Sequence, residues 1–312
     1  VHFWNATYFG DPSAPIFIQI SPGEEEETVT EELIKLKINF TVLIEDLQQA
    51  IEEERIANQR PENETEFDFS RYHTYEEILN YLENEVSKSD LVVIDFIGKS
   101  FEGRKIPVIR ITDNKLNNSK PIILIDSLIH AREWVTGATN LFIINQLFSN
   151  KSMQNYLKKF EFHIIPMFNP DGYAYSWRSD RLWRKTRSFQ FNSIRLKFCR
   201  GADANRNFDI HFCTNGEENT TPCSDNYCGD YAFSEPEVVA FRDYTLKLNQ
   251  TNVILAYFSL HSYTQKLLYP YSYTGDPPIN FIELNNLSNI ASNAIKSVYG
   301  SVYKTGSAFE VM

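Results

Sequence analysis

No apolar run in the 312-residue chain approaches the roughly 18 residues that suggest a membrane span, so no spanning helix is expected. No charged-then-apolar leader precedes Val1 either, and the compartment has to be inferred from other features. Basic residues are in deficit: 30 Lys+Arg against 41 Asp+Glu leave a formal net charge of −11. That balance argues against nucleic-acid binding, which needs a clustered basic footprint. The acidity reads as solubility, and much of it is local, at 24–27 and 52–54. Internal repeats and low-complexity tracts are also missing. What is there, 42% hydrophobic and 23% charged residues, is the composition of a folded chain with a sizeable core in one or two domains.

Cysteine is scarce and clustered. Cys199, Cys213, Cys223 and Cys228 allow three pairings, among which sequence alone does not choose. A four-cysteine zinc site is the rival reading, but only Cys223 and Cys228 are closely spaced, and such sites usually have two close pairs. Two disulfides in an oxidising compartment fit better. N-x-Ser/Thr sequons at Asn5, Asn39, Asn63, Asn117, Asn150, Asn219, Asn249 and Asn286 point the same way, toward a secreted glycoprotein.

The first sixty residues read as a small α+β unit. Residues 15–20 and 40–44 alternate like strands, 45–54 like an acidic helix, and 28–38 fit either period. A polar connector spans 54–69. Thr74-Tyr-Glu-Glu77 then resembles a capping box. Strand-like runs follow at 91–97, 106–111, 122–129, 160–168 and 253–260, with helices at 137–148, 235–248 and 280–299. Asn169-Pro-Asp-Gly172 reads as a turn. The alternation predicts an α/β fold, a mixed, largely parallel central sheet flanked by helices, preceded by the α+β unit.

In open α/β sheets ligands gather beyond the carboxyl ends of the strands. His130 ends one predicted strand, and Glu133 follows on the same helical turn; His261 ends a second strand. Two imidazoles and a carboxylate with a fourth position for water form a catalytic zinc arrangement. H-x-x-E alone arises often by chance, and a histidine ending a strand is more often structural. His2, His73, His163 and His211 receive that structural reading, His163 because it lies mid-strand.

Ordered motifs strengthen the metal reading. His130-Ala-Arg-Glu-Trp134, Asn169-Pro-Asp-Gly-Tyr173, Arg181-Leu-Trp-Arg-Lys-Thr-Arg187, Asp203-Ala-Asn-Arg-Asn207, His261-Ser-Tyr-Thr-Gln265 and Tyr269-Pro-Tyr271 occur in that sequence. Together they resemble the zinc metallocarboxypeptidase (funnelin) family of the carboxypeptidase A and B type, of which carboxypeptidase A is itself a known His₂Glu zinc enzyme. The resemblance divides the chain into a partial inhibitory pro-domain at 1–60, a helical connector to about residue 70 and a catalytic domain at 71–312. It implies one zinc ion held by His130, Glu133 and His261, with Asp203 orienting the first histidine. Arg184 falls where the family stabilises the oxyanion. Asn205 and Arg206 match the pair that grips a substrate's terminal carboxylate, and Arg132 and Tyr263 match outer substrate contacts. It further pairs Cys199 with Cys223, and Cys213 with Cys228 as in the B-type branch. Between Arg187 and Cys199 the chain is a few residues longer than the familiar pattern.

What the resemblance implies is an exopeptidase zymogen that removes single C-terminal amino acids from peptides and proteins. It would be secreted, monomeric when complete, and activated by a trypsin-like protease. Arg55-Ile56 is the better cut, because proline follows Arg60. The family's mobile tyrosine and general-base glutamate would fall beyond Met312, along with a strand and a helix. Glu310 does not stand in the base's place. The expectation is therefore that residues 1–312 alone are inactive, and a non-catalytic homologue or shortened variant binding peptide C-termini is the alternative. Specificity stays open: Ser272 and the second cysteine pair look B-like, and Ala308 is ambiguous.

Overall fold

A computed structural model describes residues 2–3, 16–61, 66–113, 120–189, 199–214 and 216–311. The longer segment after Arg187 and the sequons at Asn5, Asn63 and Asn117 lie outside the described residues. The chain forms two units, one made of Val1–Glu53 and Gln265–Met312, the other of Glu54–Thr264.

In the first unit β1 (His2–Phe3) pairs antiparallel with β2 (Ile18–Gln19). Helix α1 (Glu24–Lys35) opens with four glutamates, which suit the positive end of the helix dipole. The ambiguous stretch 28–38 is thus helical as far as Lys35. Residues 40–44 were expected to be a strand but are irregular, with Leu43 69% exposed. A short alternating run becomes a strand only where a neighbour completes its backbone hydrogen bonds. Helix α2 (Leu47–Ala57) runs across the boundary into the second unit.

The first helix lying wholly within the second unit is α3 (Tyr75–Asn84). The Thr74 hydroxyl accepts from the Glu77 backbone N–H at 3.2 Å, and Glu77 accepts from the Thr74 N–H at 2.8 Å, completing the expected capping box. Then come β3 (Val92–Lys99), β4 (Lys105–Ile111), β5 (Ile122–Asp126), α4 (Trp134–Ser149), α5 (Gln154–Leu157), β6 (Glu161–Ile165), α6 (Pro170–Arg178), α7 (Pro236–Thr251) and β7 (Ile254–Ser259). The sheet is mixed, in the order β3-β4-β6-β5-β7. β4 is antiparallel to β3 and β6, whereas β5 is parallel to β6 and β7.

Alternation along β5 serves two cores. Ile125 joins Ile144, Leu147 and Trp134 on one face, and Ile122 and Leu124 join Val238 and Phe241 of α7 on the other. Both faces of β5 and β6 are therefore covered, which is why these strands read as nearly continuous apolar runs, whereas β7 at the end of the sheet leaves Leu255 57% and Tyr257 48% exposed.

Element ends differ from expectation near the loops. β5 stops at Asp126 and β6 at Ile165, so 127–129 and 166–168 are loop. Leu128 turns the chain with a left-handed φ of 56°. Helix α4 starts at Trp134, three residues early, and approaches that loop closely: a Cβ on Gly137 would lie 2.6 Å from Leu128 Cδ1. Asn169-Pro-Asp-Gly172 is no free turn but the start of α6. Asn169 caps the Gly172 N–H, and Pro170 sits at the first helical position, where its missing N–H costs nothing.

Returning to the first unit, β8 (Lys266–Tyr269) and β9 (Lys304–Ser307) pair in parallel, joined through α8 (Phe281–Tyr299). Gly300 ends α8 with a φ of 81°, a conformation that favours glycine. The short α9 (Ala308–Val311) follows. Among the described residues no helix is long and apolar enough to cross a membrane.

Candidate metal centre

Strand register brings the three proposed ligands together. β5 and β7 are neighbours and parallel, with Asp126 opposite Ser259 at their carboxyl ends. Four residues past Asp126 the loop reaches His130, and two past Ser259 the chain reaches His261. The Leu260 N–H donates to the Asp126 carbonyl at 3.0 Å and keeps the two exits side by side. Glu133 is not inside a helix, as the spacing suggested, but on a turn whose Glu133 N–H donates to the His130 carbonyl at 3.3 Å. That turn leads directly into α4. The outcome is the same for chemistry, because both side chains project from one side of the turn.

Ligand atoms of His130, Glu133 and His261 all lie within 4.8 Å of one another. His130 Nδ1 is 2.8 Å from Glu133 Oε1, His261 Nδ1 is 3.2 Å from Glu133 Oε2, and the two Nδ1 atoms are 3.1 Å apart. The outer nitrogens face protein groups: His130 Nε2 is 3.1 Å from Asp203 Oδ1, and His261 Nε2 is 3.3 Å from Ser259 Oγ. With the His130 proton directed to Asp203, its Nδ1 lone pair points inward. Two imidazole nitrogens and two carboxylate oxygens crowded at one point need a cation between them. The donor set fits zinc, which takes neutral imidazole nitrogen and carboxylate oxygen.

Three buried carboxyls around this point behave differently. Burial pushes Glu133 up, but His130 and His261 outweigh it and hold it well below the ordinary carboxylate range. Burial also opposes ionisation of Asp203, yet Arg184 and then His130 keep it ionised. At Asp126 burial wins: it raises the carboxyl to about 6, against the Tyr257 hydrogen bond, the nearby His261 and the Ser259 hydrogen bond.

Asp203 joins several functional groups. Besides His130, its Oδ1 accepts from the Asn205 N–H at 2.9 Å. Its Oδ2 accepts from Arg184 Nε at 3.1 Å and Nη2 at 2.7 Å. Arg184 Nη1 is left 3.9 Å from Glu133 Oε1. Asn205, exposed, and Arg206, half-buried, ride on the single 3₁₀ turn that Asp203 caps. Two disulfides, Cys199–Cys223 and Cys213–Cys228, tie down the segment that carries them, with Cα separations of 4.9 and 5.9 Å.

The outer residues are dispersed. Arg132 Nη1 donates to Asp225 at 2.7 Å and to the Leu182 carbonyl at 3.1 Å. Tyr263 is 59% exposed, and the neighbouring Ser262 N–H donates to Glu133 Oε2 at 3.2 Å.

Two contributors escaped the sequence reading. Fully buried Asn169 donates from Nδ2 to the Lys185 carbonyl at 3.0 Å and the Ile129 carbonyl at 3.3 Å, joining the loops that present Arg184 and His130. Its motif is one of those that carry the resemblance and also reads as a turn, but neither reading gives Asn169 a role at the site. Arg181 lies over the Trp134 ring at 3.7 Å, donates to the Arg132 carbonyl at 2.8 Å and pairs with Glu54 of α2. Nothing local in the sequence links residues 54 and 181.

Comparisons with known proteins agree with this geometry. Residues 76–312 match the zinc carboxypeptidase family, and residues 1–54 match the carboxypeptidase activation peptide. Carboxypeptidase A2 of Mus musculus is 38% identical over 277 residues, 86% of this chain and 64% of that protein. Carboxypeptidase A6 of Homo sapiens is 39% identical over 283 residues, 88% of this chain and 63% of its own length. The chain thus spans somewhat less than two thirds of these curated relatives. The crystal structure of carboxypeptidase A from Helicoverpa armigera superposes with a TM-score of 0.81 at 31% identity, covering 92% of this chain and 71% of that one. With its sheet, its ordered motifs and a family match across most of its length, the chain belongs to the zinc carboxypeptidase family.

Proposed function

We propose that the protein is a secreted zinc-dependent exopeptidase, made as a zymogen, that removes single residues from the C-termini of peptides and proteins. The observation that carries this reading is the convergence of His130, Glu133 and His261 on one point, backed by Asp203. A zinc ion held there supplies Lewis acidity for polarising a carbonyl and activating a water.

The chain's own residues supply the rest. The Arg206 guanidinium and Asn205 amide offer a bidentate cation and a neutral donor for a free carboxylate, which selects chain ends over internal bonds. Arg184 is held by Asp203 with one guanidinium edge directed toward Glu133, where it can meet developing negative charge on a carbonyl oxygen. Arg132 and Tyr263 contribute contacts further along the peptide. Disulfide-joined cysteines support an oxidising compartment.

Activation fits a cut after Arg55. Both Arg55 and Ile56 are exposed and lie within two residues of the end of α2, where a helix frays readily. The cut would release Glu54 with the pro-segment and free Arg181 from that ion pair.

The test is an assay on the trypsin-treated protein at the full length of its relatives, with peptides bearing free or amidated C-termini. Release of the last residue only from free C-termini, abolished by a chelator and restored by zinc, is expected. Chelator-insensitive release, or equal cleavage of amidated peptides, would overturn the reading. An activated N-terminus beyond Tyr72 would sink the proposed cut.

A further inference from the structure

The sequons differ sharply in what the fold allows. Five of them, at Asn39, Asn150, Asn219, Asn249 and Asn286, lie among the described residues. Asn219 is only 7% exposed, and its carbonyl accepts from the disulfide-bonded Cys228 N–H at 3.0 Å. An attached oligosaccharide there has no way out without unpacking that loop. Asn249 lies within α7 and Asn286 within α8. Residues two apart on a helix do not face each other, so the sequon hydroxyl cannot reach the amide. Thr251 instead donates to Asn252 at 2.7 Å, and Ser288 to the Asn285 carbonyl at 2.9 Å. Asn39 is exposed, but no hydroxyl bonds its amide among the described contacts.

Asn150 combines what the others lack. It is exposed, it ends α4 in an extended conformation (φ −92°, ψ 114°), and its Oδ1 accepts from both the Ser152 N–H at 3.0 Å and the Ser152 hydroxyl at 2.8 Å. Two donors on the amide oxygen draw electrons from Nδ2 and make its N–H easier to deprotonate. Nδ2 itself donates to the side chain of half-buried Gln146, one turn back along α4, at 3.1 Å.

We propose that Asn150 carries an N-linked glycan and that Asn219 carries none. The inference rests on the secretory reading above, because the donor is a lipid-diphosphate-linked oligosaccharide of the secretory membranes. In the transfer, Nδ2 forms a bond to the anomeric carbon of the first sugar and loses a proton to a base of the transferase. The bond from that carbon to the diphosphate oxygen breaks, and its electron pair leaves with the lipid diphosphate. Helix α4 starts beside Glu133 and runs 16 residues to Asn150. At 1.5 Å per residue that places the glycan about 24 Å from the metal centre. The sugar is therefore a solubilising cover distant from the ligands, with no part in metal binding.

The experiment secretes the protein from eukaryotic cells and maps peptides after glycosidase treatment in heavy-oxygen water, which labels each formerly occupied Asn as Asp. Asn150 should be labelled and Asn219 not. Asn150→Gln and Ser152→Ala should each remove one glycan's mass, Ser152→Thr should keep it, and all three should bind zinc within twofold of the parent. An unlabelled Asn150 overturns the proposal whatever the other sequons do, and so does a labelled Asn219 in folded protein. The secretory reading fails separately, if protein taken from its native source has free thiols and no glycan at any sequon.

Discussion

Two buried histidines lie at hydrogen-bonding distance from glutamates, His163 inside the sheet and His130 on the loop past the end of β5, and they differ in how they suit a metal. His163 sits in the middle of β6, with Nδ1 2.6 Å from the Tyr244 hydroxyl and Nε2 2.8 Å from Glu161 Oε1. Glu161 in turn accepts from Arg110 Nε at 3.0 Å and Nη2 at 2.8 Å. Each nitrogen has a partner of its own, and the carboxylate already has its cation. At His130 the arrangement is short of protons: Nδ1 meets a second imidazole nitrogen and a carboxylate together. The difference lies in position. A mid-strand side chain meets neighbours fixed by the sheet and by the helix packed on it, whereas a residue just past the carboxyl end can converge with one from an adjacent strand. A closed network stabilises a fold, and an acceptor-rich one recruits a cation.

The hardest test of that contrast is ligand removal. His261→Ala or Glu133→Ala should weaken zinc binding by about a thousandfold or more, read by competition with a chromogenic chelator, which is about 4 kcal/mol. His163→Ala should leave zinc affinity within twofold. If His163→Ala lost zinc as readily as His261→Ala, the two clusters would not be separate in function.

A smaller effect is expected one layer out. Asp203→Asn keeps the shape but removes the charge that fixes the His130 tautomer and holds Arg184. Loss of such an outer partner typically costs about 10–100-fold in metal affinity. Arg184→Lys retains a cation beside Asp203 and should leave zinc affinity nearly unchanged while slowing peptide hydrolysis by the full-length protein. Equal zinc loss in both variants would mean that Asp203 acts through general destabilisation.

How much of this could be read from the chain follows the same division. The strands of the second unit were legible because their apolar runs are long and bounded, and at β5 and β6 because burial on both faces leaves little other reading. The ligands were legible for a related reason, since His130 and His261 each end such a run. Periodicity failed where partners decide. Residues 40–44 alternate but form no ladder, and Asn169-Pro-Asp-Gly172 carries turn residues that here cap a helix. Least legible were contacts between distant segments, such as Glu54 with Arg181 and Arg184 with Asp203. A charged side chain shows its type in the sequence, but its partner only after the chain has folded.

The mildest expected effect returns to the closed cluster. Burial pushes the Glu161 carboxyl up, and hydrogen bonds from His163 and Arg110 more than reverse this, leaving it below its ordinary value of 4.5. A carboxyl lowered on folding adds stability that is present above the unfolded value and is lost as pH falls through the folded one. Wild-type protein should therefore lose stability as pH drops below about 4.5, taking up a proton at Glu161 on unfolding. Glu161→Gln keeps an acceptor for Arg110 and His163 but cannot take up that proton. Its urea midpoint at pH 7 should fall by an amount equal to about 1.5–3 kcal/mol, the net worth of a hydrogen bond to a charged group. Its midpoint should also vary less than the wild type's as pH falls below 4.5. Parallel profiles for the two proteins would show that the carboxylate is not held by its neighbours, and the closed network would lose its electrostatic basis.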